Sequence, residues 1–281
     1  MKLLNIGCGK HFHEAWVNID LISTSPHVRA HDVRKGLPYP DNTFDAVYSS
    51  HVLEHLTPEA AYAALREQFR VLRPGGIVRV VVPDLENKAR EYIRLLEQVV
   101  AVNQVAEADY DWIVVELLDQ MVRDKGGGKM GEYILQPQLS NSEYVVRRIG
   151  DEAEEWLSKT QKTNANITHH SLLTRIRDKG IKILVQRVRE RLAALCVLCI
   201  AGVDAYKAFH EGLFRASGEV HRWMYDRFSL GRLLHKVGFV DIRVCRFDES
   251  YIPSFSAYYL DGTLRGTIRK ADSLFMEAIK P

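Results

Sequence analysis

Short apolar runs broken by turn residues open the chain, and longer stretches with helical spacing fill its middle. The run LNI before Gly7 predicts a first strand, WVNID (Trp16 to Asp20) a second ending in a carboxylate, and His27 to His31 a third ending in Asp32. Phe44 to Ser50 (FDAVYSS) reads as a fourth strand. Ile77 to Val82 (IVRVVV) is the β-branched pattern of a fifth, buried and parallel. Between the last two, a helix is expected from about Pro58, with Thr57 as N-cap, Pro58 at the first helical position and Glu59 in the first turn. It should close at Leu72 to Gly76, where Pro74 and the glycines stop it.

The middle of the chain, residues 86–218, is mostly helical in its periodicity. Glu86 to about Val105 and Asp109 to about Arg123 are amphipathic, and Asp151 to Ser158 is a short acidic helix. Gly126 to Gly128 is either a hinge or a plain loop. In Leu172 to Val203, the basic residues Arg175, Arg177, Lys179, Lys182, Arg187, Arg189 and Arg191 outnumber Asp178 and Glu190, and apolar residues 192–203 follow at once. One reading is a solvated basic face running into a buried helix. Another is in-plane membrane contact through 175–203, with a homodimer interface as a third. The chain ends with a helix from about Ser229, Gly238 as its C-cap glycine, a sixth strand to Val244, and a strand at Ser273 to Ile279.

Composition narrows the partners. With 281 residues, 46% of them hydrophobic, the chain can fill one core and still carry a large insertion. A formal net charge of +2, without aromatics interleaved among the basic residues, argues against nucleic acid. No cationic-then-apolar leader opens the chain, and no uninterrupted run reaches the roughly 18 apolar residues of a membrane span. A cytoplasmic protein is expected, peripheral at the inner membrane face if the basic segment meets lipid. Of the four cysteines, Cys196 and Cys199 sit three apart in an apolar run and read as packing residues.

The chemistry concentrates at the start. Gly7-Cys8-Gly9 after a strand lets backbone pass close to a ligand, and Asp20 at a strand tip can accept from two ribose hydroxyls. A dinucleotide fingerprint would need a third glycine, and an acid about 20 residues downstream; Lys10 and His11 follow Gly9, and Asp20 comes too early. A nucleoside cofactor without phosphates needs no helix N-terminus beneath it, and S-adenosylmethionine is of that kind. His51-Val52-Leu53-Glu54-His55 spells a zinc-protease signature, but it starts at a strand end, so no metal is expected there.

Taken together, LNIGCG, WVNID, HDVRKGLPYPDNTFDAVYSSHVLEHL and VLRPGGIVRVVVPDLE resemble class I S-adenosylmethionine-dependent methyltransferases, and within them the type 11 group found in bacterial polysaccharide and natural-product pathways. The resemblance covers roughly residues 1–90 and 219–281. It implies an α/β, Rossmann-like sheet of seven strands, the seventh antiparallel, with a large helical insertion between strands five and six. Residues 1–85 and 219–281 would form the methyltransferase core and 86–218 a substrate cap. It also implies that Gly7, Cys8 and Gly9 line the methionine half of the cofactor, with Asn5 beside them. Asp20 and Leu21 would hold the ribose, Asp32 and Val33 the adenine, and Ser50 and His51 would lie near the reactive methyl. His221 and Tyr225, before the last helix, fall on the pocket side. A histidine titrating near neutrality is the natural proton acceptor, so His221, His51 and Tyr225 are the catalytic candidates.

The expected activity is methyl transfer from S-adenosylmethionine, leaving S-adenosylhomocysteine, to a hydroxyl or amine of a glycan or small natural product. A lipid-linked acceptor would suit the basic segment. The alternative is a non-catalytic nucleoside-binding or scaffold module that contacts a membrane or partner through its basic helix.

Overall fold

The computed structural model describes residues 1–101, 106–150, 153, 156 and 181–281, the side chains of 181–187 excepted. Seven strands form one sheet: β1 (Leu3–Ile6), β2 (Val17–Asp20), β3 (Val28–Ala30), β4 (Phe44–Ser50), β5 (Leu72–Pro83), β6 (Val240–Cys245) and β7 (Ser273–Ile279). Their order is β3-β2-β1-β4-β5-β7-β6. The pairs among β1 to β5 are parallel, and β7 runs antiparallel to both β5 and β6. The order reverses between β1 and β4, so the crevice for a ligand opens beyond Ile6 and Ser50.

Helix α1 (Pro58–Val71) starts as its sequence dictates: the Thr57 hydroxyl accepts from Ala60 N, and Pro58 occupies the position whose N–H would have no partner. Its end differs from expectation. Strand β5 begins at Leu72 rather than Ile77. Gly75, at φ +76°, donates its N–H to Lys280 O, so the LRPGG segment is drawn into the sheet instead of looping out. The helix near the C-terminal end, called α7 below, likewise starts earlier, at Arg227 rather than Ser229. Asp226 accepts from Phe228 N and Ser229 N, while Ser229 Oγ accepts from Asp226 N, a reciprocal capping box.

The insertion between β5 and β6 contains α2 (Leu85–Val100), α3 (Glu107–Val122), α4 (Gly128–Ile134), α5 (Ser142–Ile149) and α6 (Ile181–Ala216), followed by α7 (Arg227–Val237). The short helices α4 and α5 were not expected. Most of the expected acidic helix 151–158, and most of the basic run from 175, lie outside the described residues.

Among the described residues, three apolar clusters form the core. Leu65 on α1 and Leu234 on α7 pack with Leu4, Val47 and Val80 on one face of the sheet. Trp16, Tyr48, Phe255 and Phe275 cover the other. Trp112, Ile113, Tyr144 and Val145 form the insertion's own core. Each such fully buried large side chain contributes about 1.5–3 kcal/mol.

A buried charge cluster ties the insertion to the sheet. Lys88 of α2 is fully buried, 2.8 Å from Asp272 just before β7 and 3.7 Å from Glu116 of α3. Arg148 of α5 lies 2.6 Å from Glu116, and Trp112 Nε1 donates to the same carboxylate at 3.0 Å. Burial penalises the Asp272 carboxylate, yet the Lys88 ammonium outweighs it and holds the group well below the usual range.

Helix α6 departs most from expectation. At Gly202 the backbone turns to φ +83° and ψ −175°, which divides the helix into two arms. Leu195 of the first arm and Tyr206, His210 and Phe214 of the second line one cavity of about 800 Å³. The apolar residues do not form a buried helix: Leu192, Leu195, Ile200 and Val203 are all exposed, Ile200 at 86%. Val188–Ala216 is long and apolar enough, by length and composition, to cross a membrane. An uninterrupted-run criterion misses it because a few polar residues punctuate the stretch.

Candidate active site

Residues 7–16 turn from β1 to β2 without a helix. Gly7 has φ +67°, and a Cβ there would lie 2.3 Å from Val52 Cγ2. Gly9 has φ +54° with open space where a side chain would point, and its N–H donates to Asp20 Oδ2 at 2.8 Å. Asp20 Oδ1 accepts from Ile22 N at 3.2 Å. The carboxylate therefore fixes the glycine turn while standing at the rim of a cleft lined by Gly7, Asp20, Leu21, Asp32, Val33 and His51. Six of the ten residues expected around the cofactor thus come together.

The other four do not line the cleft. Asn5 is fully buried, its Nδ2 donating to Asn18 Oδ1 at 3.1 Å, so it braces β1 against β2. Cys8 points inward, and burial, with Asp20 adding to it, pushes its thiol up to about 11. Gly9 contributes its N–H to Asp20 rather than a wall, and Ser50 is likewise off the cleft. Asp32 is present but engaged: Arg34 donates to it from N, Nε and Nη2 at 3.1, 2.8 and 2.9 Å. A carboxylate offers about four lone-pair sites, so little capacity remains for an adenine amino group. Sequence reasoning missed His31, Arg34, Val52, His55 and Leu56, and the pair Ser217–Gly218 that closes the cleft from the insertion side.

A second cavity, of about 280 Å³, lies beneath the insertion. Gln120 of α3, Arg123 just after it, Met130 of α4 and Trp156 form its roof, and His221, Lys270 and Asp272 its floor. His51 and His55 line both this cavity and the cleft. His51 sits just past β4 at φ +54°, outside any helix, as its strand-end position predicted. Its Nδ1 is 3.1 Å from Glu54 Oε1, and its Nε2 is 2.9 Å from Ser273 Oγ.

The histidine expected to be the base is not suited to it. His221 is 4% exposed, held by a hydrogen bond from its own N–H to Gln120 O at 2.8 Å. Burial pulls its pKa down to about 3, so it stays neutral and a poor proton acceptor at neutral pH. Its ring stands edge-on to His55, centroids 4.7 Å apart, and burial lowers the His55 pKa too. Tyr225, the third candidate, packs in the core away from both cavities, its hydroxyl pushed up to about 12 by burial and by Glu54. Glu54 is fully buried; burial alone would raise its pKa, but the neighbouring His51 and then His55 and His221 hold it down to about 2. The single-turn helix Leu53–His55 carries it, and its carbonyl accepts from Arg222 N and Trp223 N, which pins the His221 segment onto this turn.

Residues 10–80 match the methyltransferase domain family. A "Probable methyltransferase" of Aspergillus luteorubrus is 48% identical over 48 residues, 17% of this chain and 17% of that one. A "Probable S-adenosylmethionine-dependent methyltransferase" of Mycolicibacterium smegmatis is 43% identical over 70 residues, 22% of this chain and 26% of its own. The chain thus spans about a quarter or less of the length of these curated relatives. A solved S-adenosylmethionine-dependent methyltransferase from Archaeoglobus fulgidus aligns over 99% of this chain and 86% of its own at 11% identity, with a TM-score of 0.38. The sheet is Rossmann-like in strand order, and residues 10–80 resemble methyltransferases that use S-adenosylmethionine. The cleft fits it: the side-chain-free backbone of Gly7 lines it, a carboxylate stands at the strand tip, and residues 7–16 form no helix whose N-terminus would seat a pyrophosphate.

Proposed function

We propose that this protein transfers a methyl group from S-adenosylmethionine to a hydroxyl or amine of a glycan or small natural-product acceptor seated in the cavity beneath the insertion. The observation that carries this reading is the meeting of cleft and cavity at His51 and His55. A donor on one side and an acceptor on the other would face each other across these two rings. When bound, the cofactor supplies a methyl group activated on a sulfonium. Gly7 and Asp20 set its position, and the insertion's roof over the cavity excludes water, so much of the rate comes from alignment in a dry site. For an oxygen acceptor, His51 takes the proton in place of His221, because its ring reaches both spaces and the Glu54 carboxylate beside Nδ1 stabilises the resulting imidazolium. A nitrogen acceptor leaves His51 the lesser task of orienting the amine.

The exposed apolar face of α6 supports action at the inner face of a membrane on a lipid-linked acceptor. Gly202 divides the apolar stretch Val188–Ala216 into two parts of 14 residues, each shorter than a span, which favours insertion into the interface over crossing. Arg189 and Arg191, at the start of that apolar stretch, suit anionic headgroups.

Calorimetry with S-adenosylhomocysteine and NAD side by side tests the first part. The thioether nucleoside should bind at one site and NAD should not. Asp20→Ala should weaken that binding by about 2 kcal/mol, the loss of charge-assisted hydrogen bonds. Asp20→Asn, which keeps an oxygen for the Gly9 N–H, should lose less. Binding of NAD in preference, or unchanged affinity in Asp20→Ala, would overturn the assignment. Transfer of labelled methyl from S-adenosylmethionine into a cell extract then identifies the acceptor.

A further inference from the structure

Three side chains at the junction of cleft and cavity carry buried polar atoms without a hydrogen-bond partner. Glu54 is fully buried; its Oε1 lies 3.1 Å from His51 Nδ1, and its Oε2 has no hydrogen-bond partner. His221 is 4% exposed, and its Nδ1 has no partner. His55 Nδ1 makes no hydrogen bond either. Burying a polar atom without a partner is unfavourable, and several gathered in one place call for a common partner. Candidate ligand atoms of Glu54, His55 and His221 all lie within 4.8 Å of one another.

We propose that Glu54, His55 and His221 form a site for one divalent first-row transition ion of the zinc class, with its open position facing the cavity beneath the insertion. Two imidazoles and one carboxylate are the donor set of catalytic zinc sites, whereas magnesium and calcium favour all-oxygen shells. Ligand bonds of 2.0–2.1 Å in a tetrahedron put donor atoms about 3.4 Å apart. The observed spacing, up to 4.8 Å, needs a contraction of about 1.4 Å at most, which rotations of the two rings supply. The ligand set differs from the HxxEH reading of the sequence: His51 is not a ligand, and the third donor comes from the segment following the insertion. His55 and His221 line the cavity while Glu54 lies behind them, so an ion between them faces the acceptor. There it would polarise an acceptor oxygen.

The proposal rests on the cavity being the acceptor's, but its test does not use the cofactor. Protein freed of any affinity tag and of metal by chelation is titrated with Co²⁺, followed by visible spectroscopy, and with Zn²⁺, followed by thermal unfolding. The wild type should take up one equivalent of Co²⁺ with the d–d bands of a low-coordinate nitrogen and oxygen site, and Zn²⁺ should raise its unfolding temperature. His221→Asn should weaken Co²⁺ binding by more than the roughly tenfold expected for losing even an outer-shell partner and abolish the Zn²⁺ stabilisation. Glu54→Gln should do the same where it folds. Cys196→Ser with Cys199→Ser should change neither result. No stoichiometric Co²⁺ uptake by the wild type, or unaltered Co²⁺ spectra in His221→Asn, would overturn the site. Co²⁺ uptake with this pattern in a protein that ignores S-adenosylhomocysteine would uphold the ion site and remove the methyl-transfer reading instead.

Discussion

Gly7→Ala separates two costs that coincide at the glycine turn. The first is conformational: at φ +67° an alanine sits in the left-handed region, at about 1–2 kcal/mol. The second is steric, since the new methyl would stand 2.3 Å from Val52 Cγ2, well inside contact distance. Valine is stiff at χ1, so it cannot swing away freely, and overpacking of this kind costs about 1–3 kcal/mol. Gly7→Ala should therefore destabilise the protein by about 2–5 kcal/mol and weaken S-adenosylhomocysteine binding, because Gly7 and Val52 both line the cleft. Val52→Ala removes the clashing methyl. The double variant should be more stable than the sum of the single effects by the steric share, about 1–3 kcal/mol. Urea unfolding of all four proteins measures this coupling, with calorimetry reporting affinity in parallel. Additivity within about 0.5 kcal/mol would refute the packing of Val52 against the turn, and with it the geometry assigned to the cleft.

Lys88→Met leaves Asp272 and Glu116 buried without their ammonium and should cost about 3–5 kcal/mol. Asp272 has its folded pKa depressed, so its stabilising contribution is full above the unfolded carboxylate value and disappears on acidification. Without Lys88 the same carboxyl is raised by burial, so the gap between wild type and variant should be widest at neutral pH and narrow below about pH 4; a gap independent of pH in acid unfolding would contradict this. Among the four cysteines, Cys196 and Cys199 are exposed while Cys8 and Cys245 are buried with raised pKa values. A thiol reagent at pH 8 should modify the first two at once and the others only after denaturation, with mass spectrometry counting the adducts; rapid reaction of Cys8 in the native protein would refute its inward orientation. Leu195→Glu with Ile200→Glu should abolish co-sedimentation with anionic liposomes and leave S-adenosylhomocysteine affinity unchanged, and wild-type protein that stays in the supernatant at low salt removes the membrane reading.

Much of the sheet was legible because burial on both faces demands short apolar runs, as at Phe44–Ser50, and at Ile77–Val82 a β-branched one. The start of α1 was legible because Thr57 and Pro58 each satisfy a local backbone requirement. The side to which a turn residue points was not. Asn5 and Cys8 share the segment of Gly7, yet strand alternation and packing against Asn18 turn them inward. The state of His221 was out of reach for a different reason. Its burial is set by Gln120 from α3 and by the turn at Glu54, neither near it in sequence, so nothing local warns that its pKa falls far from the ordinary value. The exposure of α6 was hidden because an apolar helix facing solvent and one facing a core have the same periodicity.

The position of β7 has a consequence for how the protein is made. It is the last of the seven strands to be synthesised, yet it lies inside the sheet, between β5 and β6. At ribosomal speeds of roughly 5–20 residues per second, the stretch from Pro83 to Ser273 takes about 10–40 s to emerge. Throughout that interval the β5 run has an open edge, Arg79 lacks Glu277, which lies 2.8 Å away in the finished fold, and Lys88 lacks its nearer carboxylate, Asp272. The nascent chain thus carries an unpaired, strongly β-forming segment through most of its synthesis. Slow codons or heat in that window should divert it into aggregates, and holdase chaperones should matter more for its yield than the stability of the completed fold suggests.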